Sequence, residues 1–209
     1  MSKQTSILKE VSVKGIGLHS GKKSKIDFKP AEANTGIQFI RVDLPAKIKI
    51  EANWQNAQSS KAVRGTVIAK NGAEIYTIEH ILSSANALGI DNLIVEINNS
   101  EPPILDGSAK LFAQTLASGG LQELDAERQY FILKEPFVFE TDTSKYEVFP
   151  SDRLSIDCSI SFDHPVLKYQ QIAFDLINRD IYLKEIAPAK TFCFDFEIEY
   201  LQKNNLALG

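Results

Sequence analysis

The chain has 209 residues, of which 44% are hydrophobic and 24% charged, so it suits one large or two small globular domains. Its 23 basic and 27 acidic side chains give a net charge of −4, which provides no general attraction for nucleic acid or an anionic membrane. No apolar run approaches the roughly 18 residues that cross a membrane, and the first residues lack the apolar core of a signal peptide. We therefore expect a cytoplasmic protein whose two cysteines, Cys158 and Cys193, stay reduced.

Alternating apolar and polar residues predict that the chain opens with antiparallel strands. The predicted strands run from Ser6 to Val13, Ser24 to Phe28, Ile37 to Val42, Ile48 to Ile50 and Val63 to Ala69. Asn71-Gly72 follows the last of them and predicts a tight hairpin turn, because both residue types tolerate positive φ angles. The opening of the chain is therefore expected to form a sheet.

Three glycines mark the connection between the first two predicted strands, G-I-G-L-H-S-G from Gly15 to Gly21. They allow backbone geometry that residues with a Cβ atom resist. His19 lies at the tip of this loop. The residues alone leave two interpretations open, an exposed His in a strand connection or an active-site loop.

The segment E-I-Y-T-I-E-H-I-L-S-S-A-N-A-L, residues 74–88, is predicted to change from strand to helix. Apolar residues recur there at helical spacing, namely Ile78, Ile81, Leu82, Ala85 and Leu88. Thr77 is the expected N-cap, which places Glu79 and His80 in the first turn. Free N–H groups and the helix dipole favour an ionised carboxylate there. The pair suits a general base beside a metal-binding imidazole, although a His at a helix end is more often a capped or packed residue.

A second helix is predicted after the turn E-P-P-I-L-D-G-S, residues 101–108. Gly89 is expected to end the first helix, and a strand from Asn92 to Ile97 separates the two. Asp106 or Ser108 is the expected cap of the second helix, with an active-site acid as the less favoured role for Asp106. The buried side of this helix is predicted to contain Leu111, Phe112, Thr115 and Leu116, and Gly119-Gly120 is expected to end it.

The polar stretch from Gln122 to Gln129 is the predicted domain boundary. Beyond it, strands are predicted from Phe137 to Glu140, Lys145 to Phe149, Leu154 to Ile160 and Tyr169 to Phe174, and helices from Asn178 to Ile186 and Glu197 to Asn204. His164, beside Pro165, is expected in a surface turn. The sequence thus predicts an α+β protein with domains at residues 1–125 and 126–209, each a mostly antiparallel sheet packed against helices.

Five segments occur in a characteristic order: G-I-G-L-H-S-G at 15–21, T-I-E-H-I-L-S-S at 77–84, G-I-D-N at 89–92, P-I-L-D-G-S-A at 103–109 and A-K-T-F-C-F at 189–194. Together they resemble the zinc-dependent UDP-3-O-acyl-N-acetylglucosamine deacetylases of lipid A biosynthesis in Gram-negative bacteria. The resemblance implies two similar α+β domains with the active site between them. It also implies that Glu79 is the general base, that His80 binds Zn²⁺, that Thr191 and Phe192 line the substrate pocket, and that His19 lies near it.

In the chemistry that this resemblance implies, zinc polarises the acetamide carbonyl and a bound water while Glu79 removes a proton. Acetate leaves, and a free amine remains on the glucosamine. The Thr191 hydroxyl would lie near the developing oxyanion. The substrate is then a small molecule, a UDP-linked acylated N-acetylglucosamine, with no nucleic acid partner and no stable membrane insertion.

The chain departs from the family pattern in its metal ligands. The family takes two more zinc ligands from a later His-Lys-x-x-Asp segment, which nothing here matches, and a catalytic zinc normally has three protein ligands. We therefore expect the remaining ligands beyond Gly209 and a second domain that is incomplete. These residues alone are expected to bind zinc weakly and to have no measurable deacetylase activity. Lys190 and Cys193 stand where the family usually has Arg and Gly, and the first half also resembles versions fused to an acyl carrier protein dehydratase.

Two other functions remain compatible with the sequence. One is a non-catalytic two-domain module that binds a sugar nucleotide or an acyl chain without metal. The other is an unrelated zinc hydrolase, which would require His80, His19 and His164 to converge on one ion.

Overall fold

The computed structural model describes residues 2–61, 64–175 and 179–209. The chain forms two compact units, one of Met1–Arg128 with Leu183–Gly209 and one of Gln129–Tyr182. Residues 183–209 thus belong to the first unit, which the sequence pattern did not indicate. The predicted division into two similar domains at residue 125 stays a prediction.

The strands and helices are numbered here in chain order. The strands are β1 Lys3–Ile7, β2 Val11–Ile16, β3 Lys23–Lys29, β4 Ile37–Arg41, β5 Ile48–Glu51, β6 Ile68–Lys70, β7 Ala73–Ile75, β8 Leu93–Ile97, β9 Leu121–Glu127, β10 Phe137–Glu140, β11 Lys145–Val148, β12 Ser155–Ser161 and β13 Tyr169–Asp175. The α-helices are α1 Glu79–Leu88, α2 Lys110–Ser118, α3 Arg179–Ile181 and α4 Asp195–Lys203. Short 3₁₀ turns occupy Trp54–Asn56 and Ser59–Lys61, and a π-turn occupies Tyr182–Ile186.

A five-stranded sheet forms the centre of the first unit, in the order β2-β3-β8-β4-β5. All neighbouring strands are antiparallel except β4 and β8, which are parallel. Two-stranded sheets β1-β9 and β6-β7 accompany it. The predicted hairpin turn is present between β6 and β7, where Asn71 and Gly72 have φ angles of 50° and 80°. The predicted α+β class with mostly antiparallel sheets is confirmed.

The core of the first unit joins one face of this sheet to helices α1 and α2. Alternate residues of β3 face the core, among them Ile26 and Phe28. In α1 the apolar residues recur at helical spacing, so they also lie on the side that faces the core. The largest fully buried side chains are Phe28, Phe39, Phe112, Ile7, Ile26, Ile50, Ile75, Ile78, Ile81, Leu88, Leu93 and Ile97. Their burial fixes α1, and therefore its first turn, against the sheet.

The single strand predicted from Ser6 to Val13 is wrong, as is the buried position predicted for Leu111, which is 38% exposed. The strand predicted from Ser6 to Val13 is divided into β1 and β2, because β1 pairs with β9 while β2 pairs with β3. The polar stretch from Gln122 to Gln129, predicted as the domain boundary, contains β9, whose pairing with β1 supplies its backbone hydrogen bonds. The predicted strand start at Val63 lies outside the described residues.

The second unit contains two antiparallel hairpins, β10-β11 and β12-β13. These strands agree with the predicted ones to within a residue at most ends. The predicted helix start at Asn178 lies outside the described residues, and helical structure is present from Arg179 to Ile186 as α3 and the π-turn. Cys158, on β12, is an exposed free thiol, as is Cys193 in the first unit. Among the described residues, no helix has both the length and the apolar character needed to cross a bilayer.

Candidate active site

Glu79 and His80 form the first turn of α1, as the sequence predicted. Both side chains are half-buried. One carboxylate oxygen of Glu79, Oε2, accepts a hydrogen bond of 2.9 Å from the backbone N–H of Thr66. A Cβ atom at Gly65 would lie 3.4 Å from the other oxygen, so this glycine keeps the space beside Glu79 open. The carboxylate is thus held at one oxygen and approachable near the other.

Thr77 is not the N-cap of α1. The cap position is Ile78, which makes no side-chain capping bond, and Thr77 has a φ of 56°, in the left-handed region. Its side chain points elsewhere, with Oγ1 lying 3.4 Å from Oε1 of Glu101. A threonine rarely adopts this conformation, so the surrounding structure holds the turn before Glu79.

The glycine loop is a tight turn that carries His19 into the interior. The N–H of Gly17 donates to the Lys22 carbonyl at 2.9 Å, and the N–H of Gly21 donates to the Gly17 carbonyl at 3.0 Å. His19 is half-buried, its Nδ1 accepts from the N–H of Ala207 at 3.4 Å, and its Nε2 is buried without a hydrogen-bond partner. A buried imidazole nitrogen without a partner is uncommon in folded proteins.

One cavity of about 450 Å³ in the first unit adjoins these elements. Its walls include His19, Thr77, Gly65 and Glu101, together with Tyr200 and residues 204–206 after α4. The loop of His19 and the turn before Glu79 therefore meet at the same space. A cavity of this size suits a small-molecule ligand.

Thr191 is held beside the turn that precedes α2. Its backbone N–H donates to the Gly107 carbonyl at 2.9 Å, and Lys190 forms a β-bridge with Ser108. Both Thr191 and Phe192 are exposed, and the ring of Phe192 meets that of Phe194 edge to face with centroids 5.7 Å apart. The predicted site residues Thr191 and Phe192 thus belong to the same unit as Glu79, His80 and His19.

Asp106 organises this turn and does not cap α2. Its Oδ1 accepts from the N–H and the hydroxyl of Ser108, at 3.2 and 2.7 Å. The N-cap of α2 is Ala109, although the Ser108 hydroxyl oxygen accepts from the N–H of Lys110 at 3.2 Å. The predicted cap was therefore wrong in its position, and Asp106 instead supports the segment that pairs with residues 190 and 191.

The dependence of the free energy of unfolding on pH is expected to show the contribution of the ionised Asp106 carboxylate to this turn. The hydrogen bond from the Ser108 hydroxyl lowers the pKa of Asp106, helped by the Ser108 N–H and the charge of Lys190. A depressed folded-state pKa contributes stability that is present above the unfolded pKa, about 3.9, and lost as the pH falls through the folded value. Because Asp106 is exposed, Asp106→Asn is expected to lower the free energy of unfolding by less than about 1 kcal/mol at pH 7.

The measurement is urea unfolding of both proteins at pH 7 and at a pH below the unfolded pKa of about 3.9, where the difference should be smaller. Asp142→Asn, in the exposed loop between β10 and β11, serves as the control and should show no such pH-dependent difference. An equal cost of Asp106→Asn at both pH values would contradict this role of the carboxylate.

Sequence reasoning did not single out Glu101. It is 2% exposed, and it accepts hydrogen bonds from the N–H groups of His19 and Ser20, at 2.9 and 2.8 Å. No local pattern marks an acidic residue whose partners lie about 80 residues earlier. The only sequence signal was the position of Glu101 directly before Pro102-Pro103. Glu is seldom buried, so the residue type gave no indication of its buried role.

The His, Cys, Asp and Glu side chains of the described residues do not form a metal site. Within residues 2–61, 64–175 and 179–209, no group of three or more His, Cys, Asp or Glu side chains could hold a metal ion. Zinc in catalytic sites takes three protein ligands, and His80 supplies one imidazole. His80, His19 and His164 likewise do not form such a group within these ranges. His164 lies in a turn, as predicted, and its Nδ1 accepts hydrogen bonds from the N–H groups of Val166 and Leu167.

Comparison with known proteins agrees with these features. The family model described as UDP-3-O-acyl N-acetylglycosamine deacetylase matches residues 4–209. A protein of Pseudoalteromonas translucida named UDP-3-O-acyl-N-acetylglucosamine deacetylase is 41% identical over 211 residues, which cover 100% of this chain and 69% of the relative. Proteins of the same name from Methylococcus capsulatus and Pseudomonas entomophila are 40% and 38% identical, with 68% and 69% of their lengths covered. The resemblance inferred from the five sequence segments is confirmed, and the chain belongs to the UDP-3-O-acyl N-acetylglycosamine deacetylase family of hydrolases.

Proposed function

We propose that this protein takes part in the hydrolysis of the N-acetyl group of UDP-3-O-acyl-N-acetylglucosamine, releasing acetate and a free amine, in lipid A biosynthesis. The observation that supports this most directly is the first turn of α1, where Glu79 and His80 adjoin in a chain that matches the deacetylase family from residue 4 to 209. A nucleotide-linked sugar as substrate also fits the cytoplasmic location expected from the sequence.

Glu79 is proposed as the general base. The hydrogen bond from Thr66 fixes Oε2, and the absence of a side chain at Gly65 leaves room beside Oε1. A carboxylate held in this way can remove a proton from water while the water attacks an amide carbonyl.

His80 is proposed as a zinc ligand, with the other ligands expected beyond Gly209. Within the described residues His80 has no two further His, Cys, Asp or Glu side chains grouped with it that could hold an ion. Neutral imidazole is a common zinc ligand, and its half-buried place next to Glu79 would put a base beside the ion.

Substrate contacts are proposed for Thr191, Phe192 and His19. The Thr191 hydroxyl can donate to a developing oxyanion, and the ring of Phe192, which is 51% exposed, offers apolar contact to an acyl chain. His19 lines the cavity, and its imidazole can hydrogen-bond a polar group of the ligand.

A chimeric enzyme tests this function. The region of the Pseudoalteromonas translucida relative that aligns with this chain is replaced by residues 1–209, and the rest of the relative is retained. We expect the chimera to deacetylate UDP-3-O-acyl-N-acetylglucosamine. Glu79→Gln should lower its turnover by about 100-fold or more, the usual contribution of a general base, and His80→Ala should remove its zinc.

Two variants serve as controls in the chimera. Glu96→Gln changes a half-buried Glu on β8 that pairs with Lys29, and His164→Gln changes a turn histidine. Both should retain zinc and turnover. A folded chimera that binds the UDP-sugar but does not hydrolyse it would instead identify a non-catalytic binding module.

A further inference from the structure

The carboxylate of Glu101 is the buried charge at the centre of the glycine loop. It is 2% exposed and accepts hydrogen bonds from the backbone N–H groups of two successive residues, at Oε1 from His19 and at Oε2 from Ser20. Consecutive backbone N–H groups that converge in this way form an anion-binding nest. Here the anion is a side chain of the same protein.

The loop is shaped around this carboxylate. A Cβ atom at position 17 would lie 2.5 Å from Oε2 of Glu101 and 2.5 Å from the Ser20 hydroxyl oxygen, so only glycine fits. A buried carboxylate is costly unless hydrogen bonds compensate its lost hydration, and bonds to a charged acceptor are among the stronger ones. Loop and carboxylate therefore depend on each other for their positions.

The same carboxylate reaches the segment in front of α1. Oε1 lies 3.4 Å from Oγ1 of Thr77, at the edge of hydrogen-bonding distance, and Thr77 is 6% exposed. Thr77 lies two residues before Glu79. Glu101 thus stands between the loop of His19 and the turn that introduces the proposed base, and all of these residues line or adjoin the same cavity.

We propose that Glu101 is a positioning residue, which fixes His19 relative to the start of α1 by holding the glycine loop through the N–H groups of His19 and Ser20. The inference rests on the proposed function only in that His19 is taken to face the substrate. With the loop anchored, His19 stays in the wall of the cavity, and without the anchor both the loop and the imidazole change position.

Nuclear magnetic resonance of the 209-residue chain tests this proposal without substrate or metal. The sequence contains only three histidines, His19, His80 and His164, so His→Gln variants assign their imidazole ¹⁵N signals. Glu101→Gln preserves shape but removes the charge and one of the two acceptor oxygens. We expect amide hydrogen exchange at His19 and Ser20 to become about 10-fold faster or more, and the His19 imidazole signals to shift.

The matched control is Glu96→Gln, which should leave both readouts unchanged. Gly17→Ala keeps the carboxylate of Glu101, but its Cβ atom would displace Oε2. It should therefore cause the same changes in exchange and imidazole signals, and it replaces Glu101→Gln if that variant does not fold. Unchanged His19 signals in a folded variant would overturn the proposal. So would exchange that rises equally across β3, β8 and α1, because Glu101 would then only stabilise the fold. Neither result depends on whether the chimera hydrolyses its substrate.

Discussion

The 209-residue chain by itself is expected to bind Zn²⁺ on the order of 1,000-fold more weakly than the complete Pseudoalteromonas translucida relative, and to show no measurable deacetylation. His80 is one imidazole, and within the described residues no cluster of three ligands is present. Loss of a residue that only supports a zinc ligand costs roughly 10–100-fold in affinity, so the lack of direct ligands should cost more. Titration of zinc against a competing chelator measures the affinity, and an assay with the UDP-linked substrate measures turnover.

The control is the chimera that contains the rest of the relative, which should bind zinc tightly under the same conditions. His80→Ala should then have a large effect in the chimera and a small one in the 209-residue chain. Stoichiometric tight zinc in the chain alone, lost on His80→Ala, would show that further ligands within these residues complete the site, and would contradict this prediction.

Phe112→Ala is expected to lower the free energy of unfolding of the first unit by about 3–5 kcal/mol, the usual cost of removing a buried aromatic ring. Phe112 is 1% exposed and belongs to the core cluster that includes Ile81, Ala85 and Leu88 of α1. The cavity left behind would lie behind the helix that carries Glu79 and His80. Urea unfolding followed by circular dichroism measures the loss.

Its neighbour in α2 provides the control. Leu111 is 38% exposed, so Leu111→Ala should cost no more than about 1 kcal/mol. The sequence pattern had placed both residues on the buried side of α2. Equal losses for the two variants would mean that the helix is rotated relative to the sheet, and would contradict the burial described for Phe112.

The elements that the sequence predicted well are those whose signal is local. The Asn71-Gly72 turn, the apolar spacing of α1 and the Gly89 helix end depend on residues within a few positions, and the structure has all three. β9 was missed because its residues are polar and its strand form depends on β1, more than 110 residues away in the chain. Local patterns do not contain that information.

The candidate site shows the same limit. The motif around Glu79 and His80 was recognisable, but Thr77 was assigned as an N-cap because the residue type favours that role. Its φ of 56° follows from contacts with distant segments, among them Glu101. Glu101 itself has no periodic or motif signal. The roles assigned to Glu79, His80, His19, Thr191 and Phe192 stay predictions until the chimera is tested.

The pairing of β1 with β9 has a consequence for the folding of the protein during synthesis. Lys3 lies opposite Glu127 and Ile7 opposite Leu121, so β1 has no partner until residues 121–127 have been synthesised. Contacts between residues so distant in sequence form slowly, because a long loop must close before they contribute. At a synthesis rate of roughly 5–20 residues per second, β1 stays unpaired for several seconds or more. Its exposure to chaperones and aggregation is therefore set by translation speed.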